Sequence, residues 1–232
     1  MRAARVDAVL VDVGGVLHLP GTDVVRAGLE RVGVGFDPAR LPLAHHRGMA
    51  AYDRWRRDHE AWAAYLSALA IEMGAPAEFL ELVVDSLLEE FRRPDAWSTL
   101  IPGAVEGLRA LHAAGIPLAV VSNSDGTVEE RLRAEGILQA GPGPGVPVAV
   151  VVDSESAGVA KPDPRIFSFA LLALEVSPVH AVHVGDSVKA DVAGALAAGI
   201  RPLHMDPFDL CVDRSHEHVH SLHEVLALVR PG

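Results

Sequence analysis

The sequence predicts an α/β protein, a doubly wound parallel sheet with a small all-helical cap domain. Short apolar segments alternate with helix-length amphipathic segments, polar residues follow the apolar segments, and one long internal stretch has only helical periodicity. Strands that are covered on both faces of a parallel sheet are apolar throughout, which distinguishes them from the alternating strands of a half-exposed sheet. Five segments fit this description: 8–11, 117–121, 148–152, 181–184 and 202–205.

Four amphipathic segments lie between these strands, and glycines typical of helix ends follow three of them. The predicted helices cover 104–114, 127–135, 164–174 and 188–198. In open α/β sheets a ligand binds outside the carboxyl ends of the strands. Asp12, Ser122 and Asp186 stand at such ends, so we expect them to contribute to a site.

The stretch from residue 18 to residue 97 contains no convincing strand and indicates several helices, including 59–73 and 78–91. A helical insert of this length directly after the first strand predicts a separate small domain. We therefore expect a core domain formed by residues 1–17 and 98–232, with a helical cap domain formed by residues 18–97.

Composition limits the partners of the chain. Its 232 residues carry 20 basic and 31 acidic side chains, a formal charge of −11, which argues against nucleic acid and against anionic membranes. Only Lys161 and Lys189 are lysines, and neither follows a glycine, so a Walker A phosphate loop is excluded. Any anionic substrate therefore needs a few local cations or a metal ion.

The sequence also predicts a cytoplasmic protein without a membrane span. Its single cysteine, Cys211, cannot form an intrachain disulfide or a multi-thiolate metal site, which fits a reducing compartment. Glycines and prolines at 141–147 interrupt the longest uncharged stretch, and Asp7 and Asp12 interrupt the apolar N-terminal run, which does not resemble a signal peptide.

Four motifs at the predicted strand ends carry chemistry. A carboxylate followed by two glycines can approach a ligand closely, and a serine and an amide can donate to an oxyanion. A lysine before a proline can meet an anion, and two carboxylates at a helix start form a hard-oxygen site suited to Mg²⁺. The motifs are D-V-G-G-V from residue 12, S-N from 122, K-P from 161 and G-D-S-V-K-A-D from 185.

Each motif alone also has an ordinary structural interpretation. Asp12 can belong to a simple turn, Ser122 and Asp186 can cap helices, and Lys161 can be a solvated loop residue. Their order after consecutive strands is more informative than any one of them, because together they resemble the four motifs of the haloacid dehalogenase-like hydrolase superfamily. The resemblance covers nearly the whole chain, including Ile101-Pro102-Gly103 and the helical insert, which is similar to that superfamily's small cap.

This resemblance implies a role for each motif. Asp12 would attack phosphorus and form an aspartyl-phosphate, while Ser122 and Lys161 would hold phosphoryl oxygens. Asn123 is a weaker candidate for the same cradle. Mg²⁺ would be held by the Asp12 carboxylate, the Gly14 carbonyl and Asp186, with Asp191 binding through water or orienting the other ligands.

One departure from the family pattern concerns Gly14. Phosphatases of the family usually carry there a second Asp that protonates the leaving group, so the general acid is missing from this chain. Phosphonoacetaldehyde hydrolases need a cap lysine, which residues 18–97 lack, and dehalogenases generally lack the Gly-Asp-Ser pattern. The sugar-1-phosphate phosphatases resemble this chain most, and they have glycine at this position. His18 and His46 are candidates for a replacement acid.

The sequence thus predicts a Mg²⁺-dependent phosphomonoester hydrolase that acts on a small phosphorylated metabolite, a sugar phosphate among the options. A 2-haloacid dehalogenase-type hydrolase and a catalytically weak protein that binds a phosphorylated ligand or a partner are the alternatives. Near the C-terminus, His216, His218, His220 and His223 alternate in a strand-like segment. We interpret them as a partly exposed face, with a transition-metal site as the alternative.

Overall fold

The computed structural model describes residues 6–55 and 57–229, which form two compact units. The first unit takes the described residues of Met1–Leu17, Pro102–Pro207 and Asp213–Gly232, and the second takes those of His18–Ile101 and Phe208–Val212. The second unit therefore extends four residues beyond the predicted end of the cap and includes a segment that we had assigned to the core. That these units are separate domains stays a prediction.

Short strands and helices alternate along the described chain. The strands are β1 (Ala8–Val11), β2 (His18–Pro20), β3 (Trp97–Leu100), β4 (Leu118–Ser122), β5 (Leu138–Ala140), β6 (Val146–Val148), β7 (Val151–Asp153), β8 (Ala181–Gly185), β9 (Arg201–Met205) and β10 (Glu217–Val219). The α-helices are α1 (Thr22–Glu30), α2 (Leu41–Tyr52), α3 (Asp58–Glu72), α4 (Leu80–Glu90), α5 (Ala104–Ala113), α6 (Val128–Ala134), α7 (Ser154–Ala157), α8 (Arg165–Leu174), α9 (Ala193–Ala197) and α10 (Leu222–Val229).

A six-stranded parallel sheet forms the centre of the first unit. Its strand order is β10-β9-β8-β1-β4-β7, with every neighbouring pair parallel. Numbered along the chain, these six strands have the order 3-2-1-4-5-6 of a doubly wound Rossmann-type sheet. The strand order reverses between β1 and β8, which is the topological switch point of the sheet. Every residue of β1, β4 and β8 is buried, as the apolar sequences of these strands require. The predicted fold class is confirmed.

Two predicted elements of the first unit differ in detail. The strand expected over 148–152 is divided between β6 and β7, because β6 pairs with β5 in a separate two-stranded sheet. The Gly-Pro loop folds back onto Gln139, whose side chain accepts from the Gly145 N–H and thereby fixes this pairing. The helix expected over 188–198 begins as a π-helical turn, Val188–Val192, before it continues as α9.

The helices pack on the sheet through apolar residues that recur at helical spacing and therefore share one face of each helix. Ile166, Phe167 and Ala170 of α8 are buried against a cluster that includes Leu10 of β1 and Val121 of β4. Elsewhere in the unit α5 and α10 approach closely, since a Cβ added at Gly107 would lie 2.5 Å from the Leu222 Cβ. Tight packing on both sides fixes the strand ends, and with them the loops that carry polar residues.

The second unit has a helical core of its own. Helices α1 to α4 bury a cluster around Tyr65, Leu66 and Leu69, with Leu29 and Leu87 also fully buried. The expectation that 18–97 contains no strand is wrong, because β2 pairs with β3 as an antiparallel ribbon. A three-residue strand that ends in proline is too short to show alternation. Within the described residues, no helix has both the length and the hydrophobicity that crossing a bilayer requires.

Candidate active site

Four predicted site residues meet at the carboxyl ends of the central strands. Asp12 directly follows β1, and Asp186 directly follows the neighbouring strand β8. Asp191 lies in the π-helical turn, and Lys161 lies in the loop before α8. All four are buried, with at most 8% of each residue exposed. Three carboxylates and one ammonium therefore lie at the switch point between β1 and β8, where the strand order reverses.

Lys161 connects two of these carboxylates. Its Nζ lies 2.9 Å from Oδ1 of Asp12 and donates to Oδ1 of Asp191 over 2.6 Å. Oδ1 of Asp12 also accepts from the Val13 N–H at 2.7 Å, so the position of this carboxylate is fixed by two donors. Buried charges are stable when they are paired and hydrogen-bonded, and this lysine satisfies both carboxylates at once.

Asp191 is held by the protein on both of its oxygens. Besides Lys161, its Oδ1 contacts His183 Nε2 at 2.7 Å, and its Oδ2 accepts from the Ser187 N–H at 3.1 Å. These contacts favour the positioning role that we considered for Asp191 over direct ligation of a metal. Sequence reasoning missed His183. Its one signal was a polar residue in an otherwise apolar strand, β8.

Two glycines allow the carboxylates to pack directly against backbone. A Cβ added at Gly15 would lie 1.9 Å from Oδ2 of Asp186, and one added at Gly185 would lie 2.1 Å from Cγ of Asp191. Gly15 also has a φ of +64°, which side chains other than glycine rarely adopt. Gly15 and Gly185 are therefore required by the acidic side chains that pack against them.

The electrostatics of the cluster follow from burial and pairing. Burial raises the pKa of Asp12 above its ordinary value, although the charge of Lys161 opposes this shift. Burial also favours a raised pKa of Asp191, but Lys161 and His183 outweigh this effect and hold the pKa of Asp191 below its ordinary value. Burial lowers the pKa of Lys161, but the two carboxylates outweigh that effect and raise it. Of the two carboxylates that Lys161 bridges, Asp12 is thus the less compensated.

The donor set fits a hard divalent cation. One carboxylate oxygen from each of Asp12, Asp186 and Asp191 lies within 4.8 Å of the other two. Three buried carboxylates against one ammonium leave two negative charges, which is the charge of a divalent ion. Carboxylate and carbonyl oxygens are the ligands that Mg²⁺ prefers, and an ion at Asp12 would stabilise its charged form.

Ser122 is the last residue of β4, and Asn123 follows it. The side chains of these two residues differ in their contacts. Ser122 is buried, and its hydroxyl makes no hydrogen bond with the residues that the structure describes. The Asn123 side chain donates to the Lys161 carbonyl at 3.0 Å and accepts from the Lys161 N–H at 2.8 Å. Both polar atoms of the Asn123 side chain thus hold the Lys161 backbone, which favours a positioning role for Asn123 over the direct binding of substrate.

Gly14 lies between Val13 and Gly15 in the turn that follows Asp12. Gly15, the next residue, has a positive φ of +64°. Of the two proposed replacement acids, His18 begins β2, and His46 in α2 contacts His45 and Phe208 within the second unit. Both histidines are buried.

The histidine segment is only half exposed. His220 and His223 are exposed, as we expected. The side chains of His216 and His218, by contrast, are only 1% and 9% exposed. Parallel pairing of β9 and β10 places His218 in register with His204, a buried residue that the sequence analysis did not consider.

Comparison with known proteins gives the family. A family model described as haloacid dehalogenase-like hydrolase matches residues 6–199. Haloacid dehalogenase-like hydrolase domain-containing protein 3 of Bos taurus is 33% identical over 168 residues, which are 71% of this chain and 64% of that protein. The chain therefore spans less than two thirds of this relative.

Two further relatives match over greater lengths. Ribulose-1,5-bisphosphate 5-phosphatase of Halopiger xanaduensis is 30% identical over 217 residues, 86% of this chain and 84% of that protein. A HAD family hydrolase from Deinococcus radiodurans, solved with bound phosphate and sodium, is 27% identical with a TM-score of 0.59, and the match covers 97% of this chain and 96% of that one. Because the family model matches most of its residues, the chain belongs to the haloacid dehalogenase-like hydrolase family.

Proposed function

We propose that this protein is a Mg²⁺-dependent phosphomonoester hydrolase that acts on a small phosphorylated metabolite through an aspartyl-phosphate at Asp12. The observation that carries the proposal is the buried cluster in which Lys161 bridges Asp12 and Asp191, with Asp186 on the adjoining strand end. The phosphatase name of the Halopiger relative and the phosphate bound to the Deinococcus protein support the same reaction class.

Asp12 is the nucleophile in this proposal. A carboxylate oxygen of Asp12 attacks phosphorus, the bond between phosphorus and the ester oxygen breaks, and the alcohol leaves with a proton taken from solvent or a nearby acid. Water then attacks phosphorus of the aspartyl-phosphate, which releases inorganic phosphate and regenerates the Asp12 carboxylate. Lys161 and Val13 N–H fix Asp12 Oδ1 during both steps.

Lys161 and Ser122 hold the transferring group. Lys161 offsets the charge that accumulates between Asp12 and the phosphoryl oxygens, and the Ser122 hydroxyl donates to one of those oxygens. Asp191 and Asn123 keep Lys161 in place, one through the ammonium and the other through the backbone. Preorganised donors of this kind act mainly on the transition state, where charge on the oxygens is redistributed.

Asp12, the Gly14 carbonyl and Asp186 would hold the Mg²⁺ ion. When bound, it supplies positive charge that reduces the repulsion between the nucleophile and the phosphate dianion. Asp191 lies in the same group of carboxylates but has both oxygens occupied by protein donors, so we assign it to positioning.

The substrate class is proposed from Gly14. Without a carboxylic acid at this position, alcohols that are weak acids leave slowly, and anomeric sugar, aryl and acyl phosphates need less help. We therefore propose a sugar phosphate or a similarly activated ester as substrate. A cytoplasmic location without nucleic-acid or membrane partners completes the proposal, on the grounds of the acidic composition and the single cysteine.

One observation favours a second candidate function. The missing acid at Gly14 also suits a catalytically weak protein that binds a phosphorylated ligand, because the donor set for phosphate and metal is kept while one proton donor is not. A 2-haloacid dehalogenase is less favoured, since Asp186 and Asp191 are both present.

A single set of assays separates these three functions. Release of inorganic phosphate from a panel of phosphorylated metabolites is measured with Mg²⁺ and with chelator, together with halide release from a 2-haloacid. Mg²⁺-dependent phosphate release is the expected result. Halide release without Mg²⁺ would establish the dehalogenase, and ligand binding without turnover of any ester would establish the binding protein.

A further inference from the structure

Three histidines meet on β9 and at β10, the last two strands at one side of the sheet. Parallel pairing sets His204 of β9 directly beside His218 of β10, and His216 stacks on His218 with ring centroids 4.7 Å apart. His204 lies 5.1 Å from the His216 ring and 5.2 Å from the His218 ring. Each of the three offers a ring nitrogen within 4.8 Å of those offered by the other two.

Backbone carbonyls determine which ring nitrogens are available. His204 Nε2 lies 3.1 Å from the Asp186 carbonyl, and His218 Nε2 lies 2.8 Å from the Asp213 carbonyl. A carbonyl oxygen only accepts, so both Nε2 atoms carry hydrogen, and Nδ1 of each neutral ring presents a lone pair. Histidines that bind metals are oriented in this way, with the second nitrogen donating to a carbonyl or carboxylate.

The Nδ1 atoms of His204 and His218 each lie close to polar atoms of other side chains. Nδ1 of His204 lies 3.1 Å from Nε2 of His216, close to the roughly 3.3 Å expected between two imidazole ligands of a tetrahedral zinc ion. Nδ1 of His218 lies 3.1 Å from Oδ2 of Asp206, a buried carboxylate, and 3.1 Å from the exposed Arg214 guanidinium. Nδ1 of a neutral His218 accepts from Arg214, and the Asp206 carboxylate beside it adds negative charge at this end of the cluster, which favours a cation.

We propose that His204, His216 and His218 together bind one divalent transition-metal ion of the Zn²⁺ class. Three imidazole ligands suit Zn²⁺ and its first-row neighbours, whereas Mg²⁺ prefers oxygen ligands. The ion would join β9 to β10 through side chains from both strands. Its ligands are imidazole nitrogens, which distinguishes this site from the cluster of carboxylates at Asp12.

Zinc titration of the untagged full-length protein tests the proposal. The protein is first treated with a chelator, dialysed into buffer with excess Mg²⁺, and then titrated with Zn²⁺ against a chromophoric chelator. We expect one tightly bound Zn²⁺ per chain, and we expect binding to weaken at least ~100-fold in His216→Ala and in His218→Ala. Co²⁺ in place of Zn²⁺ should give the visible absorption of a tetrahedral site with nitrogen ligands.

His220→Ala and His223→Ala are the matched controls, because they remove histidines from the same segment that lie outside the cluster. Both should bind Zn²⁺ as the parent does. Far-UV circular dichroism checks that each variant is folded. Failure of the folded parent to bind Zn²⁺, or equal loss of binding in His216→Ala and His220→Ala, would overturn the proposal whatever the phosphatase assays show.

Discussion

The Lys161 ammonium donates to Oδ1 of Asp191 over 2.6 Å, although the two residues are 30 positions apart in the chain. This ion pair is almost entirely removed from water, with side-chain exposures of 1% and 3%. Breaking a buried pair by removing one partner leaves an uncompensated charge, which costs several kcal/mol. The pair therefore fixes the cation of the site before any substrate binds.

Replacing Asp12 with asparagine should abolish phosphatase turnover. An amide is neither an anionic nucleophile nor a good Mg²⁺ ligand, so we expect a loss of at least ~10³-fold in kcat. Phosphate release from the best substrate of the panel is the measurement. Asp163→Asn is the control, because Asp163 is a partly exposed carboxylate that pairs with Arg165. Wild-type turnover by a folded Asp12→Asn protein would remove Asp12 from the mechanism.

Replacing Asp186 with alanine should weaken Mg²⁺ binding more than it weakens folding. One anionic ligand is lost from a small set, and Mg²⁺ gives up its water shell reluctantly. The Mg²⁺ concentration for half-maximal activity should rise, and added Mg²⁺ should recover part of the rate. If the parent enzyme is equally active with chelator, the metal assignment is wrong.

The rate of the parent should depend steeply on the leaving group. Without an acid at Gly14, rates are expected to fall as the pKa of the leaving alcohol rises, and general acid catalysis is typically worth ~10²–10⁴-fold. Gly14→Asp should flatten this dependence, whereas Gly14→Ala controls for the added side chain. A flat dependence in the parent would mean that another group already donates the proton.

Asn123 should matter through Lys161 rather than through substrate. Asn123→Ala removes two hydrogen bonds to the Lys161 backbone, each worth about 1 kcal/mol, so kcat/KM should fall on the order of 10-fold or more. Because the ammonium loses its position and not its charge, kcat should fall more than KM rises. Ser124→Ala is the neighbouring control. An increase in KM alone would restore direct substrate binding by Asn123.

Stability of the second unit should depend on pH through His45. Burial lowers the pKa of His45 to about 3, whereas the unfolded chain titrates near 6.5. Between these values the unfolded state binds a proton that the native state does not. The free energy of unfolding therefore decreases by about 1.4 kcal/mol per pH unit as the pH falls below 6.5, and levels off near pH 3.

Urea unfolding at pH 7 and pH 5 tests this dependence. The parent should lose about 2 kcal/mol more than His45→Gln between the two pH values. His59→Gln, which removes an exposed histidine of α3, should behave as the parent does. Identical losses in the parent and in His45→Gln would show that His45 titrates normally in the folded protein.

The parts of the site that follow apolar strands were predictable from sequence. Asp12 and Asp186 come directly after strands whose burial made them recognisable, and Lys161 is one of two lysines. The role of Asn123 was not predictable, since an amide beside a serine is a plausible anion donor and its true partner lies 38 residues later. His183 was missed for a similar reason, because its partner belongs to a π-helical turn that local propensity does not indicate.

The strand order also affects how the protein is made. β1 ends at Val11, and the two strands that flank it begin at Leu118 and Ala181, so it has no sheet partner until the ribosome has produced half of the chain. The contacts within His18–Ile101 need no residue beyond Ile101 and can form earlier than the sheet. Asp12, the proposed nucleophile, is thus synthesised well before Asp186, the carboxylate that joins it. Activity should appear late in biogenesis, after the helical unit has already folded.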